Sequence, residues 1–117
     1  MCTFASPIDW AVAVHDDPQF AVTTSLESGF YQVHLVGELD IATRDLVHRV
    51  CVGSDHHDVA VDLGQTTFMD CSGYGGLVAA RIDLERRSGS LTLRNPIGQP
   101  ADLLSFLALS EGSTVAC

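Results

Sequence analysis

The most distinctive polar group of the chain is the hydroxyl of Ser72, which lies in residues 66–76, TTFMDCSGYGG. This stretch follows the apolar residues 59–63, which have the pattern of a buried strand, and it precedes a helical pattern that extends to about Arg87. A serine at a helix start can cap the helix by accepting a hydrogen bond from a free backbone N–H group. The same N–H groups and the helix dipole attract anions, so a phosphate on Ser72 would lie in a favourable field.

Three glycines, Gly73, Gly75 and Gly76, follow Ser72 in the first turns of this predicted helix. A glycine inside a helix costs about 0.8–1.0 kcal/mol relative to alanine. Another interaction has to offset that cost, so we predict that a second backbone or a partner surface approaches the glycines closely.

The sequence patterns disfavour catalysis by Ser72. The nucleophile elbow of α/β-hydrolases needs the pattern G-x-S-x-G, but residues 70–74 are Asp-Cys-Ser-Gly-Tyr. The glycines also lack the Gly-Lys-Ser/Thr ending of a phosphate-binding loop. Without further context, Ser72 is interpreted as a plain N-cap.

Cysteines and histidines give two further hypotheses. A helix N-terminus would stabilise a thiolate at Cys71, but the negative charge of the neighbouring Asp70 would destabilise that thiolate. A structural role for Cys71 is therefore favoured, and redox control through Cys71 or Cys117 is the alternative. His56 and His57 are adjacent in a polar loop, and adjacent loop residues rarely converge on one ion. We therefore expect a solvated turn there, no metal site and no cofactor.

The charge of the chain indicates the kind of partner. The 117 residues include 46% hydrophobic residues, which predicts one globular domain, and a formal net charge of −9 with no lysine. Such a surface repels nucleic acid and acidic membranes, so we expect a neutral or basic protein partner. With no long apolar run, no signal peptide pattern and no paired cysteine motif, the sequence predicts a cytoplasmic protein with free thiols.

Alternating and helical patterns predict the elements that position Ser72. Residues 20–27 and 30–35 alternate as a hairpin around Ser28-Gly29, residues 43–51 and 72–87 are helical, and residues 91–93 form a last strand. A final helix has Pro100 in its first turn. These elements predict an α/β fold of order β-β-α-β-α-β-α, with a mixed sheet of four to five strands and helices mainly on one face.

The chain ends are predicted separately from this core. Residues 1–18 form an N-terminal extension in which residues 10–14 have the pattern of an edge strand, and residues 19–117 form the domain. We expect residues 110–117 to be loosely held. In the helix after Ser72, the apolar residues Leu77, Ala80 and Leu84 are predicted to face the sheet. Val78 and Ile82 either join the core, which is favoured, or are partly exposed for a partner.

A second acidic turn, residues 38–40, follows the end of another predicted strand, and functional groups of α/β proteins gather at that edge of the sheet. Together with Val61-Asp62-Leu63 and the stretch from Thr67 to Leu77, this turn resembles the STAS domain (sulfate transporter and anti-sigma factor antagonist). The resemblance covers about residues 20–109, and within the family the chain looks like a stand-alone bacterial anti-sigma factor antagonist.

The resemblance implies a non-enzymatic regulator that switches between partners. In this family, the unphosphorylated antagonist binds an anti-sigma factor that is also a serine kinase, and a sigma factor is released. The kinase phosphorylates the serine before the glycine, here Ser72, which dissociates the complex, and a phosphatase restores the active form. The antagonist would act as a monomer or weak dimer, and the alternative is a STAS scaffold or sensor that binds a protein or small ligand without phosphorylation.

The resemblance also implies which residues contact the partner. Asp40 matches the acidic residue beside the phosphorylation site, where it would position the partner or the serine. Cys71 and Tyr74 depart from the serine and the aliphatic residue that the family commonly has at these positions. The predicted docking surface consists of Glu38, Asp40, Asp70, Cys71, Gly73, Tyr74, Gly75 and Gly76.

Overall fold

The computed structural model describes residues 12–16, 19–27, 29–53 and 55–111. The elements are β1 (Val12–Asp16), β2 (Phe20–Glu27), β3 (Phe30–Leu39), α1 (Arg44–Gly53), β4 (Asp58–Met69), α2 (Cys71–Arg86), β5 (Ser90–Arg94) and α3 (Gly98–Glu111). From β2 onward, the predicted order β-β-α-β-α-β-α is confirmed. The predicted edge strand is present as β1, two residues further along than expected. The tail after residue 111 lies outside the described residues, and the domain boundary at residue 18 stays a prediction.

The five strands form one mixed sheet in the order β1-β2-β3-β4-β5. β1, β2 and β3 pair antiparallel, whereas β3, β4 and β5 pair parallel. Parallel pairing follows from the helical connections α1 and α2, because a helix carries the chain back to the starting edge of the sheet. The carboxyl ends of β3, β4 and β5 therefore lie at the same edge.

The core lies between one face of the sheet and the helices. Val33, Val61 and Leu93 are direct neighbours on β3, β4 and β5, and all three are buried. The helices add Val47, Cys51, Leu77, Ala80, Leu84 and Leu104 to the same cluster. On the opposite face, His34 and Asp62 are neighbours, with Nδ1 and Oδ2 3.4 Å apart. The predicted arrangement, with helices mainly on one face, is confirmed.

Two apolar side chains depart from their predicted burial. Ile82 on α2 is 41% exposed, so the prediction that it joins the core is wrong, whereas Val78 is half-buried and packs against the core. The alternation of residues 20–27 predicts Leu26 on the same buried face as Phe20 and Val22, but Leu26 is 51% exposed, since the burial pattern changes at Thr24 and Ser25, which are both buried.

β4 is the longest strand and determines where α2 begins. The sequence pattern predicted that it ends at Leu63, but pairing with β3 continues to Met69. Two irregularities in that pairing, near His34 and Gly37, insert extra residues into β4 and interrupt its alternation. The polar run that looked like an exposed turn is therefore mostly strand, with the Thr66 hydroxyl donating to the Leu35 carbonyl at 3.1 Å.

Candidate functional site

The start of α2 is capped by Asp70. Asp70 has the extended backbone of an N-cap residue, and its Oδ1 accepts a hydrogen bond from the Gly73 N–H at 2.8 Å. The Asp70 carbonyl accepts from the Tyr74 N–H at 3.0 Å, so the helix begins at Cys71. The prediction that Ser72 caps the helix is wrong, because Asp70 is the N-cap residue and Ser72 already lies inside the helix. The Asp70 carboxylate also complements the helix dipole.

Ser72 is the second residue of α2, and its hydroxyl is not used for capping. The side chain is half-buried, and within the described part of the chain its oxygen makes no hydrogen bond. The first N–H groups of a helix have no intrahelical acceptor, and those of Cys71 and Ser72 lie at this end. The hydroxyl therefore lies beside a helix terminus that favours negative charge.

Gly73 allows the start of α2 to touch the end of β3. A Cβ atom on Gly73 would overlap the Leu39 carbonyl oxygen and would lie 2.8 Å from both the carbonyl carbon and Cγ of Leu39. The Asp70 N–H donates to the same Leu39 carbonyl at 3.3 Å. The prediction that another backbone approaches the glycines is confirmed at Gly73.

The next residues of α2 pack against α1 or lie open. A Cβ on Gly76 would lie 3.0 Å from the Arg44 Cβ and 3.2 Å from its carbonyl oxygen, whereas one on Gly75 would meet only a guanidinium nitrogen at 4.0 Å. Tyr74 is 8% exposed and belongs to the core. Gly73, Tyr74 and Gly76 are thus buried, so the prediction that a partner contacts them directly is corrected, and the docking surface itself stays a prediction.

Asp40 organises the turn that precedes α1. Its Oδ1 accepts from the Ala42 N–H at 3.0 Å, and its own N–H donates to the Thr43 Oγ1 at 3.0 Å. These reciprocal bonds close the turn, and the Asp40 carbonyl also accepts from the Arg44 N–H at 2.9 Å. No hydrogen bond joins Asp40 to Ser72 among the residues that the structure describes. Asp40 therefore fixes the turn beside α2, and its contact with a partner stays a prediction.

α1 and α2 are joined by a hydrogen bond between His48 and Asp83, away from the glycines. His48 Nε2 of α1 lies 2.8 Å from Asp83 Oδ2 of α2, and Asp83 Oδ1 lies 3.6 Å from Arg86 Nη1. Together with the close approach of Gly76 to Arg44, this hydrogen bond holds the two helices side by side.

A comparison with family models assigns nearly the whole chain. Residues 21–115 match the model of the STAS domain. The chain belongs to the STAS domain family. No curated protein sequence matches it.

Solved structures with a similar fold include several anti-sigma factor antagonists. SpoIIAA in its unphosphorylated form superposes with a TM-score of 0.61 at 21% identity, over 74% of this chain and 83% of that one. The phosphorylated form of the Bacillus protein gives 0.61 at 20% identity, over 83% and 92%. An anti-sigma factor antagonist from Mycobacterium paratuberculosis gives 0.61 at 20% identity, over 82% and 86%. At these identities, the likeness establishes the fold.

Gln99 supports the site in this STAS domain, and the sequence analysis missed it. Its Oε1 accepts from the Met69 N–H and its Nε2 donates to the Met69 carbonyl, both at 2.8 Å. A primary amide can donate and accept at once, so Gln99 pairs with β4 as a neighbouring strand would. β5 ends at Arg94 and leaves this part of β4 without a partner on that side. A β4 strand longer than β5 would have signalled that the end of β4 needs another hydrogen-bonding partner. The sequence pattern did not reveal this difference, because β4 was predicted to be short.

The described cysteines differ sharply in environment. Burial raises the pKa of the Cys51 thiol from 9.0 to about 12, so this thiol stays protonated and unreactive near neutral pH. Cys71 is exposed at the first position of α2. Cys117 lies outside the described residues, so redox control through Cys71 or Cys117 remains a hypothesis.

Neither a metal cluster nor a membrane-spanning helix is found in the described ranges. No group of three or more His, Cys, Asp or Glu residues is placed to hold a metal ion within residues 12–111, gaps excepted. Over the same residues, no helix is both long and apolar enough to cross a bilayer. The predicted solvated turn is half correct: His57 is exposed, but His56 is half-buried and its ring stacks on Tyr31 at 4.7 Å.

Proposed function

We propose that this STAS domain is a non-enzymatic anti-sigma factor antagonist that is switched off by phosphorylation of Ser72. The observation that carries the proposal is the arrangement at the start of α2. Asp70 caps the helix, which leaves the Ser72 hydroxyl without a structural hydrogen bond beside N–H groups that favour an anion. Family membership and the fold it shares with SpoIIAA support the same function.

In the active state, the partner would contact the exposed part of the predicted surface. Glu38, Cys71 and the open side of Gly75 are accessible, and the turn held by Asp40 lies beside them. The chain carries a net charge of −9, so the complementary face of the anti-sigma factor would be basic. Binding would occupy the anti-sigma factor and so release the sigma factor.

Phosphorylation would change the surface and leave the fold intact. The kinase would transfer the γ-phosphoryl group of ATP to the Ser72 oxygen, with ADP leaving and the hydroxyl proton passing to a base of the kinase. The product carries about −1.5 to −2 charge and three acceptor oxygens. The N-terminus of α2 tolerates this anion, whereas a partner packed closely over Ser72 would lose contact with the surface. Hydrolysis by a phosphatase, which releases inorganic phosphate, would restore the hydroxyl.

Mass spectrometry tests the acceptor assignment. The protein is incubated with ATP and each purified anti-sigma factor kinase encoded in the same genome, and we expect one added phosphate. The addition should be lost in Ser72→Ala and retained in Ser105→Ala, a control at an exposed serine of α3. Phosphate on Ser72→Ala with an unmodified Ser72 in the parent would refute the assignment.

A ligand sensor is a second candidate function, and one feature favours it. A polar cleft of about 510 Å³ opens on the sheet face opposite the helices, within the size range of small-molecule sites. Its polar lining includes Thr23, His34, Asp62, Gln65 and Asn95. Partner affinity that is indifferent to the chemistry of Ser72, and that changes with Asp62→Asn, would favour the sensor over the phosphorylation switch.

A further inference from the structure

Three large apolar side chains are exposed near the carboxyl ends of the parallel strands. Ile41 is 70% exposed, Ile97 is 60% exposed and Phe68 is 40% exposed. Single exposed apolar residues are normal on protein surfaces, so exposure alone indicates nothing. Their position relative to Ser72 is what distinguishes these three.

Ile41 and Ile97 flank the junction of β4 and α2 from opposite sides. Ile41 lies two residues beyond Leu39, whose carbonyl accepts the Asp70 N–H. Ile97 lies two residues before Gln99, whose amide pairs with the Met69 backbone. Since β4 lies between β3 and β5 in the sheet, the two isoleucines are on either side of the segment that leads to Ser72.

The backbone that carries each isoleucine is held by hydrogen bonds. The turn with Ile41 is closed by the reciprocal bonds between Asp40 and the 42–43 segment. The segment with Ile97 is tied to β4 by the two bonds of Gln99. A preorganised apolar group loses little freedom on binding, which favours its use as an anchor. Phe68, in register with Glu38, extends the apolar surface at the same end of the sheet.

The charges around these residues select the kind of partner. Segments 38–45, 66–76 and 95–102 contain five carboxylates and a single cation, Arg44; the acidic residues are Glu38, Asp40, Asp45, Asp70 and Asp102. A second copy of this chain would bring like charges together, which opposes self-association through this face. A protein with apolar pockets framed by Arg or Lys complements both features.

We propose that Ile41 and Ile97 are the apolar anchors of the docking surface, and that they insert into pockets with a basic rim on the anti-sigma factor. The proposal rests on the proposed function and adds the residues that supply affinity. It also gives a reason why a phosphate on Ser72 would weaken partner binding. The new charge would lie between the two anchors, so docking would have to strip the phosphate of its hydration water.

The test compares apolar-to-serine variants at exposed positions inside and outside the proposed surface. Affinity for each purified anti-sigma factor kinase encoded in the same genome is measured by isothermal titration calorimetry with the unphosphorylated full-length protein. Ile41→Ser and Ile97→Ser should each weaken binding about tenfold, as expected for anchor residues. Leu26→Ser, at the hairpin end of the sheet, and Ile82→Ser, on the middle of α2, are controls and should change the affinity less than about twofold.

The outcomes separate the anchor proposal from the proposed function. If the parent protein binds none of these kinases, both fail. If it binds and the Ile41→Ser/Ile97→Ser double variant retains the affinity, the anchor proposal alone is overturned. A concentration-dependent dimer that the double variant abolishes, seen by light scattering, would assign the face to a second copy and would also overturn it. Thermal melts by circular dichroism check that each variant is folded.

Discussion

The contact between the start of α2 and the end of β3 makes a strong prediction about two glycines in the same helical turn. A Cβ at Gly73 would overlap the Leu39 carbonyl, whereas a Cβ at Gly75 would meet only the tip of a flexible guanidinium at 4.0 Å. Both glycines are in α2, so both gain helix propensity on replacement by alanine. Gly73→Ala and Gly75→Ala should therefore change stability in opposite directions.

The magnitudes follow from two effects. Replacing a helical glycine by alanine gains about 0.8–1.0 kcal/mol. At Gly75 nothing opposes that gain, because the nearest atom is at ordinary contact distance. At Gly73 the added methyl group overpacks rigid backbone, which costs about 1–3 kcal/mol, toward the upper end here. We expect Gly75→Ala to be about 0.5–1 kcal/mol more stable than the parent and Gly73→Ala to be about 1–2 kcal/mol less stable.

Urea denaturation followed by circular dichroism measures both changes. A difference of about 1.5–3 kcal/mol between the variants corresponds to a separation of roughly 6–12 °C in Tm for a domain of this size. Equal m-values would show that the denatured states are comparable. A Gly73→Ala protein as stable as Gly75→Ala would refute the inferred contact between α2 and Leu39.

Two further predictions concern residues away from the hydroxyl. Gln99→Leu removes two hydrogen bonds to Met69 and should lower the free energy of unfolding by about 1–2 kcal/mol. The control Gln65→Leu, at an exposed glutamine on the same strand as Met69, should have little effect. Equal effects of the two substitutions in urea denaturation would argue against the Gln99 contact. The raised pKa of Cys51 predicts a pH dependence: above about pH 9 the unfolded thiol loses its proton while the folded thiol keeps it, so stability should fall by about 1.4 kcal/mol per pH unit toward pH 12. Cys51→Ala should remove that part of the slope, and an unchanged slope would contradict the assignment.

Local sequence patterns predicted the order of the elements because each pattern reports burial along one segment. The alternation in β2 and β3 indicated a sheet with one face covered by helices. The apolar row of Leu77, Ala80 and Leu84 indicated which side of α2 is buried. The end of β4 could not be predicted in this way. Its last residues are polar or irregularly spaced because β-bulges interrupt the alternation, so the pattern resembled a turn.

The candidate site was predicted in its location and only partly in its chemistry. Ser72, Asp70 and the glycines were identified, but which residue caps α2 depends on where the strand ends, and that boundary was placed too early. The internal role of Gly73 depends on Leu39, which is 34 residues earlier in the chain and reaches α2 only through the sheet. Such long-range contacts are absent from local patterns, and the pairing of Gln99 with β4 was missed for the same reason.

The most direct test of the central claim is the affinity of site-specifically phosphorylated protein. Phosphoserine is incorporated at position 72, and separately at the exposed Ser105 of α3 as a control of equal charge. Dissociation constants for the anti-sigma factor that binds the unmodified protein are then measured by calorimetry. Phosphate at Ser72 should weaken binding at least about a hundredfold, on the order of 2.7 kcal/mol, and phosphate at Ser105 should leave the affinity within a few fold. Unchanged affinity with phosphate on Ser72, or equal loss at both positions, would contradict the claim that Ser72 is the switch.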